Sequence, residues 1–179
     1  MFNRTVPYCL LLISIVLISC DTVSPNDKTL PNQNNSKLKK ESLIKANKYL
    51  VNSENKEISN YIKRHELDVV KTGSGLSYQI TSQGEGDKAQ KGKIATLNYK
   101  MKLITGDVIY SSDESGPKIF KIGHSTEESG LEEAILNMRV GDKAIIIIPS
   151  HLAHGLLGDN TRIPARSTII YEIEFTNLN

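Results

Sequence analysis

The side chains best suited to chemistry lie together in one short segment, IPSHLAHG at residues 148–155. Ser150, His151 and His154 include a nucleophile and two bases, but no nucleophile elbow and no spaced triad motif accompanies them. His151 and His154 are three residues apart, as two metal ligands on a helix face would be, yet the segment has the pattern of a loop and holds no cysteine. The pattern indicates that these histidines are solvated loop residues and not part of a hydrolytic or metal-binding site. No cofactor is expected.

Glycine spacing and overall charge disfavour two further classes of function. The glycines of GSGLSYQITSQGEG (73–86) flank a short predicted strand, Leu76 to Thr81, whereas a phosphate-binding loop lies between a strand and a helix. The chain has 22 Lys and Arg against 20 Asp and Glu, no Trp and no basic stripe, so nucleic acid is not an expected partner. Its 179 residues suit one globular domain with extensions.

The N-terminal residues have the pattern of a bacterial lipoprotein signal. Arg4 precedes an apolar run, Tyr8 to Ile18, that is too short to span a bilayer as a helix. The run ends in LISC, which resembles a lipobox, in which Cys20 is lipidated and becomes the first mature residue. An ordinary signal peptide with a coincidental cysteine is the alternative. We expect residues 1–19 to be a lipoprotein signal peptide and the protein to be anchored by lipid in the bacterial cell envelope, at a periplasmic or outer-membrane location.

Two segments are expected between this signal and the globular domain. Residues 20–36 should be the lipidated cysteine and a flexible tether, because the stretch is polar and contains two prolines. Residues 37–72 should be helical, either as one helix with a break near Asn52 or as two helices. Such a segment either covers part of the domain or binds a second copy or a partner. The two apolar faces are Leu43, Ala46, Asn47 and Leu50, and Ile58, Tyr61, Ile62 and His65.

Residues 73–179 show the alternation of an antiparallel sheet around one helix. Ser129 and Glu132 have the spacing of a capping box, and KAIIIIP (143–149) is typical of a strand with both faces covered. The predicted fold class is α+β: a curved antiparallel β-sheet wrapped on a short α-helix, preceded by an N-terminal helical segment. The inward positions of the two clearest strands are Ala95, Leu97, Tyr99, Met101 and Leu103, and Ile169, Tyr171, Ile173 and Phe175, and the helix stripe is Leu131, Ala134, Ile135 and Met138.

This order of elements, with IPSHLAHG and the closing run RIPARSTIIYEIEF (162–175), resembles the FKBP-type peptidyl-prolyl cis/trans isomerases over roughly residues 92–178. The stretch before it is similar to the lead-in of envelope FKBP-type lipoproteins, including the gliding-motility-associated isomerase lipoproteins. The resemblance implies an FKBP-like fold for residues 73–179 and prolyl isomerisation as the activity. That reaction needs no metal, cofactor or covalent intermediate, since an apolar pocket favours the twisted, less polar amide.

The resemblance also assigns a pocket. Three of its positions, Tyr99, Leu131 and Tyr171, are equally compatible with plain core packing. The sequence departs from the family at the rim, where Tyr110 replaces an Asp and His154 replaces a hydrogen-bonding tyrosine. Glu127 and Glu128 replace an apolar pair. The candidate catalytic residues are Tyr99, Ile109, Tyr110, Phe120, Leu131, His154, Ile163 and Tyr171.

The expected function is therefore a membrane-anchored peptidyl-prolyl cis/trans isomerase that assists the folding of exported proteins. Its partners would be proline-containing exported polypeptides and the membrane, reached through the N-terminal lipid. Losing one rim hydrogen bond costs about 0.5–1.5 kcal/mol, which weakens catalysis without abolishing it. The alternative is a non-catalytic or weakly catalytic FKBP-like binding module of an envelope complex, in gliding or secretion machinery.

Overall fold

The computed structural model describes residues 33–179, with side chains from residue 36 onward. The chain divides into two compact units, residues 1–43 and residues 44–179. The described part of the first unit, residues 33–43, is helical throughout. The second unit contains all strands described below. The expected signal peptide, Cys20 and most of the expected tether lie outside the described residues.

The N-terminal helix, α1, is one uninterrupted helix of 32 residues, Gln33–Arg64. It begins inside the segment expected to be a tether, and the expected break near Asn52 is not present, because no Gly or Pro interrupts residues 33–64. Ile58 and Tyr61 are buried and pack with Ile147 and Ile170 of the sheet. Of the two predicted faces, the one that contains Ile58 covers the sheet, while the face with Leu43 and Leu50 is exposed.

Seven strands form one antiparallel sheet, in the spatial order β1-β2-β6-β7-β3-β4, with β5 also pairing with β3. All pairings are antiparallel, as the alternating sequence predicted. None of the helices described between residues 33 and 179 is both long and apolar enough to cross a membrane. The strands are β1 Val70–Lys71, β2 Ser77–Ser82, β3 Ile94–Leu103, β4 Val108–Ser111, β5 Lys118–Lys121, β6 Lys143–Ile148 and β7 Ile169–Leu178.

One edge of β3 is shared by two short strands. β5 pairs with the first part of β3, with Phe120 opposite Ala95, and β4 pairs with the last part, with Tyr110 opposite Met101. Helix α2, Ser112–Ser115, connects the two. On the other edge β7 pairs along β3, with Tyr171 opposite Met101. Strands β4, β5 and β7 are therefore all neighbours of β3, with β4 and β5 on one edge and β7 on the other.

Strand β6 is covered on both faces, as its continuous apolar run predicted. Ala144, Ile146 and Ile148 belong to the core inside the curved sheet. Ile147 points to the opposite face, where it packs under α1. The sheet therefore separates two apolar layers, a large inner core and a smaller one beneath the N-terminal helix.

Helix α3, Ser129–Ile135, lies in the inner core, and its predicted apolar stripe is buried. It approaches β6 so closely that a β-carbon at Gly130 would lie 2.4 Å from Cγ2 of Ile148. The helix ends earlier than its stripe suggested, although Met138 just beyond it is also buried. Glycine at position 130 is therefore needed for the helix to pack this closely against β6.

The predicted capping box at the start of α3 is wrong. The Ser129 hydroxyl donates to the carbonyl of Leu152, and Glu132 accepts hydrogen bonds from Ser125 Oγ and from the Gly123 N–H. Glu128 precedes the helix, with no side-chain cap. Both residues of the motif are used for contacts with neighbouring loops, which compete with local capping.

Candidate functional site

The six interior residues predicted for the pocket lie in one continuous apolar cluster, and each is 9% exposed or less. Six separate segments contribute them: β3, β4, β5, α3, the loop before β7, and β7 itself. The rings of Tyr99 and Tyr171 are 6.0 Å apart and inclined at 56°. The structure thus brings together residues that are up to 72 positions apart. They are Tyr99, Ile109, Phe120, Leu131, Ile163 and Tyr171.

The loop that carries Ile163 is held by Asp159. One oxygen of its carboxylate accepts hydrogen bonds from the backbone N–H groups of Thr161, Arg162 and Ile163. The other accepts from the phenol of Tyr110 on β4. Tyr110, which the sequence placed at the pocket rim, is therefore used to fasten this loop to the sheet.

The conformation of the same loop also requires a glycine. Gly158 has a φ of +72°, and a β-carbon there would lie 2.0 Å from the Ile163 carbonyl oxygen, so only glycine fits. Desolvation acts to raise the pKa of Asp159, but the hydrogen bonds from Tyr110, Ile163 and Thr161 outweigh it and lower that pKa far below its usual range. Arg162 donates a hydrogen bond to the Ile109 carbonyl at 2.7 Å. Because Arg162 precedes Ile163, this contact connects the loop of Ile163 to Ile109 on β4.

The carboxylate of Glu128 lies inside the site. Its Oε1 accepts a hydrogen bond of 3.0 Å from the Tyr171 phenol and lies 3.0 Å from Nε2 of His154. The side chain is only 7% exposed, and Oε2 is buried with no hydrogen-bond partner among the described residues. Burial raises the pKa of Tyr171 well above 10, and the adjacent negative charge of Glu128 raises it further.

A second charged pair lies beside this network. The Lys118 ammonium forms an ion pair with Glu127, and its nitrogen is 5.5 Å from the centre of the Tyr99 ring. Both side chains are about four-fifths buried. Tyr99 and Tyr171 form the aromatic walls of the candidate site. The Tyr99 ring is covered by the Lys118 ammonium, which the Glu127 carboxylate holds in place.

Sequence reasoning missed Lys118 altogether and placed Glu128 on the rim. The signal for Lys118 was available, since residues two apart on a strand face the same side and Phe120 was a candidate pocket residue. Glu128 gave no such signal, because the segment after Gly123 has no regular period. His154 contacts Glu128 Oε1, and its predicted place in the pocket stays a prediction.

The loop that carries His154 is tied to helix α1. Glu54 accepts hydrogen bonds from the Ser150 N–H at 2.6 Å, from the Ser150 hydroxyl at 3.1 Å and from the Thr168 hydroxyl at 2.9 Å. The Ser150 carbonyl in turn accepts from the N–H groups of Ala153 and Gly155, on either side of His154. The N-terminal helix thereby supports both the loop and the start of β7.

Outside this site, a cavity of about 800 Å³ lies between α1 and the outer face of the sheet. Its lining includes Tyr61 and Ile145, with the Lys102–Glu172 ion pair in its wall. Within residues 33–179 no group of three or more His, Cys, Asp or Glu side chains is arranged to hold a metal ion. The candidate site therefore offers apolar and aromatic packing, the donors of Tyr171 and His154, and the charged groups of Lys118, Glu127 and Glu128.

The sequence and structure were compared with those of known proteins. Residues 85–176, just over half of the chain, match the family model of the FKBP-type peptidyl-prolyl cis-trans isomerases. A similar relative is the probable FKBP-type peptidyl-prolyl cis-trans isomerase FkpA of Neisseria meningitidis, 34% identical over 108 residues, which are 60% of this chain and 39% of that protein. FK506-binding protein 2 of Yarrowia lipolytica is 35% identical over 115 residues, 64% of this chain and 80% of that protein.

Solved structures show the same fold. The crystal structure of FkpA from Escherichia coli matches with a TM-score of 0.64 and 26% identity, over 82% of this chain and 68% of that chain. AtFKBP13 matches with a TM-score of 0.61 and 30% identity, over 63% of this chain and 100% of that chain. The curved sheet wrapped on a short helix, preceded by an N-terminal helix, is confirmed. The chain matches well under half the length of the Neisseria relative.

Proposed function

The chain belongs to the FKBP-type peptidyl-prolyl cis-trans isomerase family, and from this premise we propose that it catalyses the cis/trans isomerisation of Xaa-Pro bonds. The observation that carries the proposal is the single apolar cluster formed by the predicted interior, with Tyr99 and Tyr171 as its aromatic walls. Sequence-distant segments supply this cluster, and it coincides with the part of the chain that matches the family.

The cluster suits this reaction because of how an amide changes as it rotates. The barrier of about 18–20 kcal/mol arises from the loss of resonance. A planar amide is charge-separated, whereas the twisted amide of the transition state is less polar. An environment of aromatic and aliphatic side chains therefore stabilises the twisted form relative to the hydrated planar one, and no proton transfer is required.

Two hydrogen-bond donors could hold a bound peptide, the phenol of Tyr171 and the imidazole of His154. Both are engaged by Oε1 of Glu128. A substrate carbonyl must compete with this carboxylate for either donor, which costs about 0.5–1.5 kcal/mol for each hydrogen bond exchanged imperfectly. We expect catalysis that is weaker than an unobstructed pocket would give.

A proline-limited refolding assay tests the activity. The full chain is added in increasing amounts to a protein whose slow refolding phase is set by prolyl isomerisation, a phase of tens of seconds without a catalyst. The proposal expects the rate of that phase to rise in proportion to the amount of added chain. A slow phase that stays constant up to equimolar amounts would refute it.

A second candidate function is peptide binding without catalysis, within an envelope complex of the gliding or secretion type. The observation that favours it is the set of charged side chains, Lys118, Glu127 and Glu128, that covers the aromatic wall. The two candidates differ in one result. A binding module would retain prolyl peptides in an equilibrium binding measurement and leave the refolding phase unchanged.

We further propose that the protein is a lipoprotein of the bacterial envelope and acts on exported polypeptides as they fold. The support is the LISC motif that ends the apolar run. Cys20 lies outside the described residues. A Cys20→Ala variant should lose labelling by a fatty-acid analogue and should leave the membrane fraction. If it is labelled and fractionates as wild type does, the lipobox assignment is wrong.

A further inference from the structure

The Glu128 carboxylate is only half used by the fold. Oε1 has two polar neighbours, the Tyr171 phenol and His154, while Oε2 is buried and has none among the described residues. A buried carboxylate oxygen without a donor is costly, and such atoms are few in native proteins. This oxygen belongs to a side chain packed against Tyr171, one of the two aromatic walls of the site.

Lys118 shows which kind of group this site accommodates. Its ammonium is held between the face of the Tyr99 ring, 5.5 Å away, and the carboxylate of Glu127. A cation placed between an aromatic face and a carboxylate gains from both. The chain therefore already places one basic side chain against Tyr99, one of the two aromatic residues of the candidate site.

The local charges are unbalanced even with Lys118 in place. Glu127 and Glu128 contribute two negative charges and Lys118 one positive charge, so these three side chains together are net negative. A ligand with a positive charge would restore the balance, and an acidic ligand would increase the imbalance. An uncharged apolar side chain would leave Oε2 of Glu128 without a donor.

We infer that this site selects prolyl peptides that carry a lysine or arginine next to the proline, and that Glu128 is the residue that determines this preference. The inference rests on the proposed function, since it names the substrate class of the same site. Because Oε2 is buried, the Glu128 side chain must turn toward the bound peptide to contact its basic side chain. A lysine ammonium then offers three donors and an arginine guanidinium five. Glu127 holds Lys118, so Lys118 does not neutralise Glu128, whose polar partners are Tyr171 and His154.

The test compares matched peptides on the full chain. Four peptides differ only in the residue before proline, which is lysine, Nε-acetyl-lysine, leucine or glutamate. Acetylation removes the charge and keeps the length of the side chain, so it isolates the cation without changing the protein. The inference expects kcat/KM for the lysine peptide to exceed that for acetyl-lysine and leucine about tenfold, with glutamate lowest.

Two variants locate the effect. Glu128→Gln keeps an oxygen that can accept from Tyr171 but removes the charge, and it should bring the ratio of lysine to acetyl-lysine close to one. Glu85→Gln removes an exposed negative charge elsewhere and should keep the wild-type ratio. A ratio near one in the wild type, or a ratio that survives Glu128→Gln, would overturn the inference.

Equilibrium binding of the same four peptides separates this inference from the proposed activity. A chain that binds the lysine peptide most tightly, loses that preference in Glu128→Gln, and accelerates no isomerisation would support the selectivity and refute the catalysis. Equal binding of all four peptides together with clear catalysis would support the proposed activity and refute the selectivity. The acetyl-lysine comparison keeps the test decisive even if the variant fails to fold, because it needs only the wild-type chain.

Discussion

The phenol of Tyr171 donates a hydrogen bond of 3.0 Å to Oε1 of Glu128, which joins the aromatic wall on the last strand to a buried carboxylate. This contact ties two properties of the site together. It holds a tyrosine in the position that an apolar pocket requires, and it occupies a donor that a bound peptide would otherwise use. Changes at either residue should therefore alter both stability and ligand preference.

We predict that Tyr171→Phe is less stable than wild type by about 1–3 kcal/mol, because the buried carboxylate of Glu128 loses one of its two polar partners. Urea unfolding measures the difference. Tyr49→Phe is the matched control, since Tyr49 is exposed on α1 and should change stability by less than about 0.5 kcal/mol. Equal stabilities of wild type and Tyr171→Phe would contradict the structural role of this hydrogen bond.

The same pair predicts an alkaline signature. Burial and the charge of Glu128 raise the pKa of Tyr171 well above 10, so the folded state holds its proton after the unfolded state has released it. This contribution to stability is complete below pH 10 and is lost as pH rises beyond that value. Unfolding free energy should therefore fall more steeply above pH 10 in wild type than in Tyr171→Phe, and parallel profiles would show that Tyr171 titrates normally.

Asp159 predicts the opposite, acidic signature. Its pKa is lowered in the folded state by hydrogen bonds from Tyr110, Ile163 and Thr161, against the opposing effect of desolvation. Its contribution is therefore present above its ordinary pKa of 3.8 and is lost as pH falls below that value. Asp159→Asn should be less stable than wild type at pH 7 by up to about 1 kcal/mol, since solvent screens the charge.

The control for this prediction is the acid dependence itself. As pH falls below 3.8 the gap between the two proteins should narrow steadily, because the unfolded wild type takes up a proton on Asp159 that the folded state takes up only at lower pH. Fluorescence-detected unfolding at several pH values follows the difference. A gap that stays constant from pH 7 to pH 2 would show that the carboxylate charge is not what holds the loop.

Glu54 should couple the N-terminal helix to the site. Glu54→Ala removes three hydrogen bonds to Ser150 and Thr168, both of which are buried, and should cost about 1–3 kcal/mol. It should also lower kcat/KM, because Ser150 organises the turn that carries His154. Glu57→Ala, on the same helix and exposed, should change neither quantity. Equal effects of the two substitutions would indicate that any change in the helix has this effect, and that the Glu54 hydrogen bonds do not specifically couple the helix to the site.

Strand alternation was enough to predict the inward residues of β3 and β7, whereas Ile109, Phe120 and Ile163 came from the family resemblance. Tyr99 and Tyr171 lie on strands that are buried on one face, so a period of two fixes the direction of each side chain. The buried stripe of α3 followed in the same way from helical periodicity. These local patterns identify inward residues wherever an element buries mainly one face.

Contacts between distant segments were not predictable in this way. Glu54 and Ser150 are 96 residues apart, and no local rule relates them. Glu128 follows an irregular segment, so nothing in the sequence indicates whether its carboxylate points outward or inward. The predicted capping box failed for a related reason, because Ser129 bonds to Leu152 from another loop. Polar side chains in loops find their partners through the tertiary structure.

The most direct test of the account is the rate of cis/trans exchange of a Lys-Pro peptide, measured by NMR exchange spectroscopy with the full chain present. We predict exchange faster than the uncatalysed rate, and an approximately tenfold loss of that acceleration in Tyr99→Leu, which keeps the wall apolar but removes its aromatic face. Glu85→Gln should behave as wild type. An exchange rate equal to the uncatalysed one at the highest usable concentration of wild-type chain would contradict the account.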